Sequence, residues 1–141
     1  MPLDGDFGTL LKWQAALREI GSPRFLFRVA SDQADVALGL VAEGFGRESD
    51  PYGKPWAPKK RPDGRRILRG KTSRLVKWRK AFVNQHGYAI ESRAPYARYH
   101  QSGTRRMVAR KMVPDTRIPR RWSSAFSAVF HKRVNRAIKR Q

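Results

Sequence analysis

The chain has no cysteine, which excludes disulfide staples and thiolate metal sites. Acid is scarce: 11 Asp and Glu stand against 31 Lys and Arg, a formal net charge of +20. Glu91 is the only acid between Asp63 and Asp115, so that stretch holds no carboxylate pair for general acid–base work. No apolar run approaches the roughly 18 residues of a membrane helix. Residues 1–8, MPLDGDFG, lack a basic region followed by an apolar block, so no secretory signal is expected, and the protein is expected to be made and used in the cytoplasm. Internal repeats and low-complexity segments are missing too. His86, His100 and His131 have neither a carboxylate nor a second histidine at ligand spacing, which leaves a metal or nuclease centre unsupported. Residues 64–72, GRRILRGKT, end like a phosphate-binding loop, but five residues rather than four separate Gly64 from Gly70. No buried apolar strand stands in front of them. Neither enzymatic activity nor a cofactor is expected.

What is abundant is positive charge, and it is unevenly placed. Residues 1–50 hold 5 Lys and Arg against 8 Asp and Glu, a balance of −3, whereas residues 51–141 hold 26 against 3, a balance of +23. Charge on this scale argues for a polyanionic neighbour, nucleic acid being the commonest. The competing reading is a solvated surface balanced by acidic partner subunits. The length, 141 residues, suits one domain with a single core.

Within that domain the pattern divides into a helical pair (1–46), a long loop (47–66), a β-hairpin with a short helix (67–103), a basic arm (104–121) and a C-terminal helix (122–141). Asp6 can cap a first helix whose Leu10, Leu11, Trp13, Leu17 and Ile20 lie mostly on one face and which Gly21 closes. Ser22-Pro23 reads as an N-cap with proline at the first helical position. The second helix runs to about Phe45, with Phe27, Val29 or Ala30, Ala34, Leu38, Val41 and Ala42 as its apolar stripe. Prolines and glycines with few apolar residues make 47–66 a loop, within which Trp56 is expected to anchor in the domain's own core. Residues 75–85 alternate as a strand with Val76, Trp78 and Phe82 inward. His86-Gly87 turns the chain, Tyr88, Ile90 and Ser92 face inward on the return, and Pro95 ends the ladder. From Pro95 the spacing is helical, pairing Tyr96 with His100 four residues on and ending at Gly103. Past the arm, Trp122, Ala125, Phe126, Val129, Phe130, Val134, Ala137 and Ile138 mark one helical stripe among basic residues that suit the helix dipole.

Aromatic residues among cations, here Trp78, Tyr88, Tyr96 and Tyr99 among Arg74, Lys77, Arg79, Lys80, Arg93 and Arg98, can stack bases while the cations hold phosphate. These aromatics, however, occupy positions expected to face the core. Any DNA contact would be sequence-independent, because nothing forms a recognition helix with base-reading asparagine or glutamine.

Residues 94–103, APYARYHQSG, following strand, turn and strand, carry P-Y-A-x-x-H-x-x-G. This order resembles the signature of the phage virion morphogenesis (tail-completion) family and of related small neck proteins of tailed phages. Asp50, Gly53 and Trp56 in DPYGKPW are similar to that family's D-x-x-G-x-x-W. ILRGKTSRLVKW at 67–78 resembles its I-L-x-x-T-G-x-L segment in Thr72 and Leu75, with a more basic insert, Arg69-Gly70-Lys71, before them and Ser73 where the family usually has glycine. RIPRRW at 117–122 is similar to its closing P-x-R-P-[FW]. The likeness covers about residues 47–122, and Tyr96, Ala97, His100 and Gly103 are its most specific part.

The resemblance implies an α+β fold in which the N-terminal helical pair and the C-terminal helix pack on a small, mostly antiparallel sheet with long loops and arms. It implies a structural virion protein that forms a homo-oligomeric ring, a hexamer, at the head-proximal end of the tail and joins other tail and neck proteins. Closed symmetry would let an acidic face on the helical pair meet a basic one. Arg105, Arg106, Arg110, Lys111, Arg117, Arg120 and Arg121 are then candidates for a subunit interface or for non-specific contact with packaged DNA. The alternatives are a free-standing, sequence-independent nucleic-acid-binding protein and, more remotely, an inhibitor or toxin-like module acting on an acidic protein.

Overall fold

The computed structural model describes residues 7–141, so the expected Asp6 cap lies outside the described residues. Four helices, α1 (Phe7–Ile20), α2 (Pro23–Arg47), α3 (Ala97–Ser102) and α4 (Arg120–Lys139), surround one antiparallel hairpin of β1 (Trp78–Asn84) and β2 (Gly87–Ser92). The fold is α+β.

α2 is the spine. Ser22 starts it with extended backbone, and its Oγ accepts from Phe25 N–H at 3.2 Å while Pro23 fills the first turn, which satisfies one of the orphan donors of the helix end. Its buried stripe is Phe25, Val29, Ala30, Ala34, Ala37, Val41 and Phe45. Phe27, expected in that stripe, is half-exposed, and Ala42 is exposed. Phe25 and Phe27 sit on nearly opposite sides of a helix, and Phe25 is the one that packs with Val29 and Ala137 of α4. The alanines at 30, 34 and 37 leave room for close approach by neighbouring elements, and both α4 and the hairpin lie against this helix.

The hairpin closes through a two-residue turn, Gln85-His86, one residue earlier than expected. Asn84 Oδ1 holds it by accepting from His86 N–H (2.8 Å) and Gly87 N–H (3.1 Å). The strand alternation also breaks. Lys80 pairs with Ile90 and Phe82 with Ala89, with a bulge between them. A bulge inserts one residue and inverts every later side chain. Before the bulge Lys80 shares the side of Trp78 and pairs with Asp35 of α2 at 2.7 Å, whereas Phe82 beyond it, expected inside, is 53% exposed. Residues 67–68, expected to open the strand region, form a turn instead, and Leu68 is buried with a left-handed φ of 62°.

The main core joins Ala37, Val41 and Phe45 of α2 to Trp56, Leu68, Leu75, Ala94, Met112 and Trp122. Loops and arm thus supply half of it. A second, smaller cluster holds only Phe25, Val29 and Ala137, with Ile20 and Val134 against it. α1 packs chiefly along α4 rather than on the sheet, and Leu10, Leu11, Trp13 and Leu17 all remain about half exposed or more. Among the described residues no helix is long and apolar enough to cross a membrane.

Candidate functional site

The loop after α2 is ordered by its own chemistry. Asp50 Oδ1 accepts from Tyr52 N–H at 2.9 Å and Lys54 N–H at 2.8 Å, while Asp50 N–H bonds Lys54 O and Gly53 N–H bonds Asp50 O. Gly53 takes φ 90° in this turn, a conformation that costs a residue with a Cβ. The turn sends the chain back along α2, where Trp56 N–H reaches Glu48 O at 2.9 Å. The indole is buried edge-on against Phe45, with ring centroids 5.3 Å apart, and its Nε1 donates to Lys111 O at 2.9 Å. Asp50, Gly53 and Trp56 are therefore one device: a cap, a turn and an anchor that ties the loop to the arm 55 residues away.

The second device is α3. Tyr96 and His100 meet edge to face with centroids 6.0 Å apart, as the four-residue spacing predicts. Gly103 ends the helix with φ 76°, and a Cβ there would lie 2.9 Å from Ala109 N. Only glycine lets the arm fold back so closely. The arm then returns along α3, with Arg110 N–H donating to His100 O at 2.8 Å. Gln101, which sequence reasoning passed over, clamps it. Its Oε1 accepts from Met112 N–H (2.8 Å) and Val113 N–H (3.2 Å), and its Nε2 donates to Val113 O (2.7 Å). Polar side chains that pair with irregular backbone carry no periodic signal, so only the invariable need to satisfy arm N–H and C=O groups could have pointed to it.

Four motif residues that lie apart in sequence converge. Thr72, Leu75, Tyr96 and His100 line one cavity of about 330 Å³ with Lys59, Asp63, Ile67, Arg69, Lys71 and Arg110. Leu75 is buried at its base and Thr72 is exposed at its edge. Burial, and then the Arg110 charge, hold His100 below the ordinary histidine range. Ala97, the remaining motif position, packs against the main core. Ser73, where the family motif usually has glycine, adopts φ 52° and ψ 31°, the left-handed conformation that explains a glycine preference there. Tyr96 and Tyr99, expected to face the core, are 40% and 44% exposed, and Arg98 stacks on the Tyr99 ring at 4.8 Å.

The seven basic candidates divide by use. Arg110 donates to the carbonyls of Ala57 and Pro58, Lys111 pairs with Asp115 at 3.2 Å, and Arg121 pairs with Glu43. Arg117 lies 6.0 Å from the Tyr52 ring centroid, and Arg105, Arg106 and Arg120 are exposed. The acids of the helical pair are consumed within the chain. Glu19 meets Arg140, Asp32 meets Arg133, Asp35 meets Lys80, Glu43 meets Arg121 and Glu48 meets Arg66. No uncommitted acidic face is left on the described part of that pair. The hydrogen bond from Arg133 is what chiefly lowers the Asp32 pKa. Among the described residues no group of His, Asp and Glu is placed to hold a metal ion.

No curated protein and no solved structure matches the chain. The model of one family, the phage virion morphogenesis family, matches residues 13–140. That span takes in both devices, the cavity beside α3, and the helices they close on, and on it the chain belongs to the phage virion morphogenesis family.

Proposed function

We propose that this member of the phage virion morphogenesis family is a structural component of the particle. We propose, more specifically, that it is a tail-completion or neck protein, which assembles as a closed homo-oligomeric ring of six at the head-proximal end of the tail and joins it to the filled head. The observation that carries the assembly reading is unburied surface. A compact monomer of 16.2 kDa exposes about 7,500 Å², whereas this chain exposes 10158 Å². The excess exceeds the share that one subunit contributes to two standard interfaces, at roughly 800 Å² each. A ring requires two such faces on every subunit. The apolar residues left open on α1 are the kind of surface that assembly covers.

Electron microscopy of lysates made with and without this gene tests the reading. Full heads beside separate tails in the mutant, rejoined by added protein, are the expected result; intact particles without the protein would overturn it. Light scattering on the purified protein, or on protein bound to tails, gives the ring size.

A second reading, sequence-independent nucleic-acid binding, draws on one cluster. Arg24, Arg28, Arg133, Arg136 and Arg140 line a cavity of about 420 Å³ between the start of α2 and the end of α4. Monomeric binding to duplex DNA that weakens steeply with salt would favour it.

A further inference from the structure

The cavity beneath α3 has chemistry that core packing does not explain. Four cations border it, Lys59, Arg69, Lys71 and Arg110, against one acid, Asp63. Asp63 is already engaged, by Lys59 at 2.6 Å and Arg65 at 3.5 Å. Arg69 Nε is buried with no hydrogen-bond partner, so this guanidinium is not fully satisfied within the chain. The loop that presents it is also bent unfavourably: Leu68, Gly70 and Ser73 all have φ between 52° and 62°, and two of the three carry a Cβ. Strain of this kind persists where surrounding structure holds it, and it gathers at ligand clamps. Its apolar lining is Ile67, Leu68 and Leu75, the last two buried.

We propose that this cavity is a socket for a carboxylate side chain of a different protein in the assembly, with Arg69, Lys71 and Arg110 meeting the charge and Ile67 and Leu75 receiving the methylene stem. A duplex presents its phosphates on a rigid convex surface and is contacted by side chains that project toward it, so a concave seat suits it poorly. A glutamate or aspartate can enter. Every described side-chain carboxylate outside the 50–54 turn is already in an ion pair and Asp50 is held by backbone N–H groups, which favours a donor on a different protein. The nature of the partner rests on the assembly reading above; the socket itself does not.

The test uses purified full-length protein, with the ring resonances of His100 as a local reporter. A capped tetraglutamate peptide is expected to shift them to saturation while His86 and His131 stay unmoved. Arg69→Gln with Lys71→Gln is expected to weaken that binding at least about tenfold, as loss of charge-assisted hydrogen bonds should. Arg24→Gln with Arg28→Gln, the same charge loss elsewhere, should change it less than about twofold. Should the first pair fail to fold, Lys71→Gln alone, at an exposed side chain, keeps the comparison, with a loss of at least about threefold expected. Absence of saturation, equal losses in both variant pairs, or a His100 response to a 20-base-pair duplex but not to the peptide overturns the proposal. So does a His100 shift that follows protein concentration alone, since that makes a second copy the occupant. Particle assembly is not the readout, so failure here leaves the ring reading standing, and failed head–tail joining leaves the socket standing.

Discussion

The two ends of α2 face opposite situations. Its C-terminal half is enclosed by segments that sequence pattern would class as loop and arm, with Trp56, Leu68 and Met112 buried against Val41 and Phe45. Its N-terminal half meets regular helices, yet only Phe25, Val29 and Ala137 form a buried cluster there, and α1 beside it keeps Leu17 63% exposed. Regular secondary structure and burial have thus separated. Irregular chain can close a core when each backbone group finds a partner, as Gln101 and Asp50 provide, whereas a helix with one apolar arc needs a neighbour to cover it. The closed end resembles a finished monomer, and the open end resembles half of an interface.

The sharpest way to break that contrast is at the indole. Trp56→Ala removes the ring against Phe45 and orphans Lys111 O, and is expected to cost about 3–5 kcal/mol, read as a lower urea midpoint. Gly103→Ala follows. Its methyl would meet Ala109 at 2.9 Å with φ at 76°, and a loss of at least about 2 kcal/mol is expected, with hydrogen exchange rising first in the arm. Next comes pH. His100 has a lowered pKa in the fold, from burial first and the Arg110 charge second, so the unfolded chain binds its proton more readily. Its contribution is complete above the ordinary histidine value of 6.5 and is lost as pH falls through the folded value. His100→Gln should flatten that part of the stability profile while the Asp32 part, which is complete above 3.8 and lost as pH falls through its own lowered value, remains. The smallest effect is expected at the open end. Leu17→Gln should change monomer stability by less than about 0.5 kcal/mol but reduce self-association by analytical ultracentrifugation; a large loss of stability would mean that α1 is covered in the monomer after all.

Ser73→Gly sharpens the comparison from the other side. Relief of its left-handed backbone is expected to stabilise the closed end by up to about 1 kcal/mol, measurable in the same urea titration, and a loss instead would show that the hydroxyl holds the turn.

Much of this was written locally. The Ser22-Pro23 start of α2, the stripe of α4 through Trp122, Phe126 and Ala137, the hairpin followed by a short helix, and the Tyr96–His100 pairing all follow from spacing within a few residues, because helix and strand periods are set by backbone geometry alone. So did the position of Trp56 as an anchor, since a large aromatic in a polar loop has few other places to go. Three-dimensional closure decided the rest. The bulge before Phe82 reverses a strand whose alternation gives no sign of it. Trp56 finds its acceptor 55 residues away and Arg133 finds Asp32 101 residues away, so charge counted along the chain could not tell an acidic face from a set of internal ion pairs. The cavity that gathers Thr72, Leu75, Tyr96 and His100 exists only once the loop and α3 are packed together, because a concave site is a property of facing surfaces and no single segment encodes it.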